Sequence, residues 1–451
     1  MKNYSKVSLA IIIFSLLVSC SKEWLEQKQN IKLIVPTTLN DMELLLNEDS
    51  FQLDARGNSE IACDDYEFTP DQLNSLYSSA DRDIIIWKSM EIPNYGDKQN
   101  DEWDLAYSEI QIANIVLEGL AKIERIESNK IQYDRIRGTA LYHRAKQHLN
   151  IAMTFCDYYD KNTSAAVSGI PLKLTSDISE KIVRSNLEET YSNIISDLRE
   201  AAALLPIAQS SQTFIAKGGA FGLLARAYLF TDNYIDALST ADSSFKYNSY
   251  IENYNKVSGS PTRPFVSLYT KEMHILGDIR KVVSNFSIGR MSKDLYDLYD
   301  QNDLRKTLFF KINTDGKPTF RGSYRGLQLF TATATDEILL IKAECSVRLN
   351  KIEDAKIALN LLLENRYKTG TFVPVSLTDS KELLDTILKE RRKELVCRGL
   401  RWQDLKRLNR DPKFAKTLVR IIGDEVFSLP PNDPKYIFPI PQYIKIFTGI
   451  E

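Results

Sequence analysis

The chain has 451 residues, 43 % hydrophobic and 26 % charged, with 58 Lys and Arg against 60 Asp and Glu and a formal net charge of −2. This is the composition of a globular body in water, and a helical-repeat array can reach this length as one cooperative unit. No basic stripe is present to neutralise phosphates, which argues against nucleic acid as a partner.

At the start, Lys2 and Lys6 precede an apolar run from Val7 to Val18. The run is shorter than the ~20 residues that span a bilayer and has the layout of a secretory signal peptide. It ends in Leu17-Val18-Ser19-Cys20, which looks like a bacterial lipobox, so residues 1–19 are expected to be a removed leader and Cys20 the lipidated N-terminus. A single acyl chain anchors only marginally; the two or three chains of a lipoprotein cysteine would hold the protein to a membrane. Ser21-Lys22-Glu23 is similar to the tags that send such lipoproteins to the outer face of the outer membrane. Cys63, Cys156, Cys345 and Cys397 fit no zinc, redox or disulfide spacing, and three of the four sit in helix-like apolar stretches where a free Cys behaves as a small hydrophobe.

Residues 20–50 read as a tether and first helix, and 51–102 as an irregular, loop-rich segment. From Trp103 onward apolar residues recur every three or four positions. Trp103, Tyr107, Ile110, Asn114 and Leu117 share one stripe, with Ala106, Ala113 and Leu120 beside it. Ile136 to Tyr159 reads as one long helix, and Tyr191, Ile194, Ile195, Leu198, Ala202 and Leu205 form a further stripe stopped by Pro206. Two later stretches share a register. Ala225-Arg226-Ala227-Tyr228 leads into Thr231 to Ala237, as Ala343-Glu344-Cys345-Ser346 leads into Leu349 to Ala355. Small residues for close helix approach, a polar turn and an Ala opening the next buried face follow the logic of a tetratricopeptide pair; on these residues alone, generic helical hairpins compete. Helical repeats are therefore expected over 103–250 and 334–408. A loop-rich insertion at 251–333 separates them, and an irregular segment at 409–451 holds Pro430-Pro431, Pro439 and Pro441. The expected fold is mainly α: tetratricopeptide-like helical pairs packed against a loop-rich ligand-binding region. Loops that long in a compact protein are usually functional.

In order along the chain, several blocks resemble the SusD/RagB family of nutrient-binding outer-membrane lipoproteins. These are Val35-Pro36-Thr37-Thr38-Leu39-Asn40-Asp41, Trp103-Asp104-Leu105-Ala106-Tyr107 with Asn114, and Gly138 to Ala145. Gly169-Ile170-Pro171-Leu172 follows, with Arg184, Tyr191 and Asp197-Leu198, then Asn302-Asp303-Leu304-Arg305 and Asp336 to Glu344. The strongest block is Glu390-Arg391-Arg392-Lys393-Glu394-Leu395 with Gly399-Leu400-Arg401-Trp402-Gln403-Asp404-Leu405-Lys406-Arg407; Phe438-Pro439-Ile440-Pro441 closes the series. Cys397-Arg398 departs from the aromatic and acid that many members place there. The resemblance implies binding rather than catalysis, a location on the cell outer membrane facing the exterior, and a SusC-like TonB-dependent transporter as partner. It also implies an oligosaccharide or peptide ligand, with glycan favoured by the breadth of the family.

No catalytic constellation, metal site or cofactor motif is visible. His143 and His148 are five apart and His274 stands alone, so none has a ligand partner at metal spacing. Adjacent carboxylates such as Asp64-Asp65 do not supply the facing pair that a surface glycan-degrading enzyme needs. The charges of residues 390–407 are expected to interlock as a structural ion-pair face. Sugar recognition draws on aromatic faces and planar polar groups. By composition and place, the irregular segments offer Asp65, Tyr66, Trp87 and Tyr95, and then Tyr254, Tyr324 and Arg325, as ligand-binding residues.

Overall fold

The computed structural model describes residues 36–450, apart from 55, 77, 92–100, 258–263, 266–269, 280–288 and 327. Cys20 and Tyr95 lie outside the described residues. Helix α1 is Leu39–Leu46, opened by a capping box in which Thr38 and Asp41 satisfy each other's backbone donors. The repeat array follows: α2 Asp101–Leu120, α3 Lys130–Phe155, α4 Leu187–Leu204, α5 Lys217–Leu229 and α6 Tyr234–Tyr247. It resumes with α7 Thr335–Arg348, α8 Ile352–Leu363, α9 Ser380–Glu394 and α10 Arg401–Leu408, and α11 Gln442–Thr448 ends the chain. From α2 to α8 each helix packs on the next, and α6 on α7 bridges the insertion between them. The fold is the helical-repeat architecture read from the apolar spacing. Of the stripe on α2, Trp103, Ala106, Ile110, Ala113 and Asn114 are buried. The long helix runs from Lys130 to Phe155 rather than from Ile136 to Tyr159. Its end is fixed by Lys406 of α10, whose Nζ donates to Met153 O and Cys156 O, both at 2.7 Å, a cation on the last carbonyls.

The two stretches matched by register form equivalent turns. Asp232 and Asn350 both take left-handed φ, at 54° and 59°, a conformation these short polar residues tolerate. After each, a backbone N–H reaches back five residues, Asn233 N to Tyr228 O at 3.0 Å and Lys351 N to Ser346 O at 2.8 Å. Small residues on the first helix and a polar αL turn thus recur as one structural unit.

The irregular segments are held to this array by few strands and many charges. Among the described residues every sheet has two strands. Leu53–Asp54 pairs with Asp278–Ile279 and Tyr66–Glu67 with Arg290–Met291, which binds the N-terminal segment to the central insertion. Alternation in residues 418–429 also gives a hairpin, Leu418–Ile422 with Glu425–Leu429. Its two-residue turn opens on Gly423 at φ 62°, a position that suits glycine.

The charged block does not face solvent; it is interior. Arg305 is fully buried and its guanidinium meets Asp303 at 2.8 Å, Glu390 at 2.6 Å and Glu394 at 2.8 Å. Glu394 also takes Arg366 Nε at 2.7 Å, and Arg366 reaches Glu272 at 2.7 Å. Arg407 clamps Glu344 through two nitrogens, at 2.6 and 2.8 Å. Burial pushes the Glu344 carboxyl up, but Arg407 and Arg348 outweigh it and hold it at about 2. Glu394 does not pair with Arg398 four positions on, because α9 ends at Glu394 and Cys397 turns left-handed at φ 58°. Arg398 instead meets Asp336 at 3.0 Å, and Cys397 Sγ lies 3.1 Å from Tyr66 Oη, so the departure from the family pattern is built into the core.

Removing one partner from such a network strands the others. Arg366→Met is expected to cost about 3–5 kcal/mol, read as a lower urea midpoint at unchanged slope. Adding Glu272→Gln to it is expected to recover part of the loss.

Candidate functional site

Between α3 and α4 the chain leaves the array for an excursion, residues 156–186, whose base is a short hairpin of Ser168–Pro171 with Arg184–Asn186. Gly169 has to be glycine: a Cβ there would sit 2.1 Å from Thr190 Oγ1 and 2.4 Å from Asn186 O. Arg184 Nε donates to Gly169 O at 2.8 Å, so two of the recurrent residues clamp one another across the hairpin. Asn186 then caps α4, with Glu189 completing the capping box.

A polar line running through the helices holds the excursion down. Asp197 on α4 accepts two bonds from Arg144 on α3, at 2.7 and 2.8 Å, and Arg144 donates to Asn114 Oδ1 on α2 at 3.0 Å. The Asn114 amide donates to Lys173 O and Thr175 O at 3.1 and 3.0 Å. Burial raises the Asp197 carboxyl, and the paired Arg144 works against that rise. Gln111 donates to Ser176 O at 2.7 Å, and Ser176 N donates to Glu118 at 2.6 Å. Residues 173–176 therefore lie along α2 and leave a cleft between them and the helix's first half.

The cleft is about 800 Å³, within the size range of small-ligand sites. Its floor carries the partly exposed ring of Tyr107, backed by the buried Trp103 with ring centroids 4.9 Å apart, and Tyr107 Oη is fixed on Pro171 O at 2.8 Å. Ile178, Ile182 and Val183 form an exposed apolar lip, with Ile178 89 % accessible. Gln111, Lys181, Glu180 and Arg184 supply a polar rim of both signs. Glu180 accepts from Lys173 and Thr175, which holds its carboxyl below the usual range. Arg184 also borders a depression of about 410 Å³, and Asp157 and Val167 border both that depression and a pocket of about 350 Å³.

The residues singled out in the irregular segments do other work. Tyr254 lies beneath Arg366, 3.9 Å from guanidinium carbon to ring centroid. Tyr324 donates to Asp336 at 2.9 Å and Tyr66 to Glu60 at 2.8 Å. Trp87 donates to Ala62 O at 2.8 Å beneath Arg420, and Asp65 takes Arg392 at 2.7 Å. All five are 3 % exposed or less, which leaves no ring face or carboxylate for a ligand. Arg325 is half-buried against Asp278 at 3.1 Å. For Tyr254, Tyr324, Trp87 and Asp65 the physical reason is shared: buried arginines need carboxylates and aromatic faces, and these residues supply both. Tyr107 lies on a regular helix, where apolar spacing reads as core, so the helical pattern does not mark the cleft. The available signal was the cluster Leu174, Ile178, Ile182 and Val183 within a polar stretch.

The comparisons with known proteins agree with this architecture. Residues 23–229 match a sequence profile described as SusD-like, starch-binding and associating with the outer membrane, and residues 310–443 match the SusD family profile. The chain belongs to the SusD/RagB family. A SusD superfamily protein from Bacteroides vulgatus has a TM-score of 0.72 over 92 % of this chain and 98 % of its own, at 20 % identity. One from Bacteroides thetaiotaomicron has 0.70 over 92 % and 99 %, also at 20 % identity. A laminarin-binding SusD-like protein has 0.64 over 91 % and 97 %, at 16 % identity. At these identities the likeness is one of fold. SusD-like protein P38 of Formosa agariphila is 39 % identical over 115 residues, which is 24 % of this chain and 22 % of that protein.

Glu118→Ala removes the exposed clamp on Ser176 while touching no core contact. It is expected to speed tryptic cleavage at Lys173 and Lys181 severalfold, with global stability changed by less than about 0.5 kcal/mol.

Proposed function

We propose that this chain is a lipid-anchored protein on the outer face of the outer membrane that binds a glycan oligomer in the cleft beside Trp103. In this reading it passes the oligomer to a SusC-like TonB-dependent transporter. The observation that supports it most is the cleft itself: the Tyr107 ring for sugar C–H surfaces and a mixed polar rim for hydroxyls, in a volume of about 800 Å³. Its chemistry suits binding, since Glu180 is held toward its charged form, the opposite of what a general acid requires. The laminarin-binding relative of the same fold makes a glycan the first ligand class to test. Among the described residues no helix is long and apolar enough to cross a membrane. The anchor in this reading is Cys20, on the strength of the lipobox-like Leu17-Val18-Ser19-Cys20.

A second reading, a peptide ligand in the same cleft, is favoured by one observation, the apolar lip of Ile178, Ile182 and Val183. The two readings separate on a combined glycan and peptide array. For a glycan, Gln111→Ala with Lys181→Ala is expected to weaken binding about tenfold, the loss of two modest hydrogen bonds, while Ile178→Asp has little effect. For a peptide, Ile178→Asp is expected to dominate. An array empty of both classes would sink the function.

Anchoring is tested separately. Labelled palmitate is expected to enter the wild-type chain and not Cys20→Ala, which should leave the membrane fraction.

A further inference from the structure

The described chain begins at Pro36, whose carbonyl oxygen lies against Gly119 near the end of α2. Residues 121–129 then lead from α2 into α3, and α1 is fastened across this corner. Gln132 donates to Asn40 Oδ1 at 2.8 Å and to Glu43 Oε2 at 3.0 Å, and Arg135 meets Glu43 at 2.7 Å. Asn129 pins the turn by accepting from Ile126 N and donating to Glu124 O, both at 2.9 Å. On this braced end of the array three aliphatic side chains stand in water: Ile131 at 78 % exposure, Leu44 at 68 % and Ile126 at 48 %.

The charges at the corner cancel. Arg125 is forked onto Asp134 by two bonds of 2.7 Å, and Lys130 meets Glu127 at 2.5 Å. Over residues 39–46 and 121–135 four cations face five acids, one of which, Asp41, is engaged in capping α1. No basic cluster is left to seek an anionic polymer. Single exposed aliphatic residues are ordinary on a protein surface; what sets these three apart is where the chain enters the body. With acylated Cys20 in a bilayer, Pro36 is sixteen residues along the chain and at most about 55 Å away, whatever the conformation between them. A tethered surface meets lipid at the high effective concentration of an intramolecular contact, so an apolar patch too small to bind alone can settle on it. The corner that carries the entry point is the one held nearest.

We infer that this corner, Leu44 on α1 with Ile126 in the turn and Ile131 at the start of α3, is a docking face that rests on the lipid surface and sets how the body stands. The inference depends on the lipid-anchor reading and not on the identity of the ligand. Tyr107 precedes Gly119 by twelve residues, about 18 Å along α2 at 1.5 Å per residue, which lets a body standing on this corner hold the cleft clear of the headgroups.

The test uses the lipidated full chain in phosphatidylcholine vesicles, with a nitrobenzoxadiazole label on one introduced thiol at a time: Leu44→Cys, Ile131→Cys, Val426→Cys or Phe447→Cys. All four sites are exposed, whereas Cys63, Cys156, Cys345 and Cys397 are buried. Labels at 44 and 131 are expected to shift to the blue and to be quenched severalfold more by doxyl-bearing lipid than labels at 426 and 447. Because the corner's charges cancel, adding phosphatidylglycerol or raising the salt is expected to change this little. Ile126→Asp with Ile131→Asp is expected to abolish quenching at 44 while the chain still floats with the vesicles and melts close to the wild type. A floating chain whose labels at 44 and 131 are quenched no more than those at 426 and 447 would overturn the docking face and leave the anchor standing. Quenching that appears only with phosphatidylglycerol would overturn it too, since charge would then be the cause. A chain that takes up no palmitate and stays in the supernatant would remove the anchor and the docking face together.

Discussion

A buried arginine sets the terms for most of this molecule. Arg305 and Arg366 share Glu394 between them, and through Asp303, Glu390 and Glu272 they tie the central insertion to α8 and α9. Withdrawing these charges from water is tolerable only because each guanidinium is forked onto carboxylates in fixed geometry. The pairing is therefore demanding about position. A displaced loop would leave an ion uncompensated, so the loops are held where the ions meet. That explains how segments with only two-stranded sheets can be packed against a helical array.

The same principle works at smaller scale where the cleft is built. Asp197, Arg144 and Asn114 come from three successive helices and end on the carbonyls of Lys173 and Thr175. A rigid array thus carries an irregular excursion at a set distance, leaving a cleft where the chain cannot close onto α2. Loops placed by a scaffold in this way keep their surface free for recognition.

The cleft lies on the helical body rather than in the insertion, and it sets the Tyr107 ring beside the aliphatic side chains of Ile178, Ile182 and Val183. An aromatic ring on a rigid helix and an apolar lip on an irregular excursion thus face one another because the excursion is held at a fixed distance.

Much of the scaffold was legible in the residues. Apolar spacing marked α2 and α4, and small residues with a polar turn marked the paired units at Asp232 and Asn350, because both signals are local: they depend on helix period and on one residue's φ. The ordered blocks from Val35 to Pro441 marked the family. What the sequence could not disclose was which charges face which, since Arg366 and Glu272 are brought together only when distant segments pack. For that reason Tyr254, Tyr324, Tyr66 and Trp87, aromatic and in loops, read as ligand residues although they serve buried cations and the core. Tyr107, aromatic and on a helix, reads as core although its ring lines a cleft, while Trp103 beside it is core. Residue type and local period belong to the chain; whether a ring face meets an arginine, a neighbouring helix or open space is decided by tertiary packing alone.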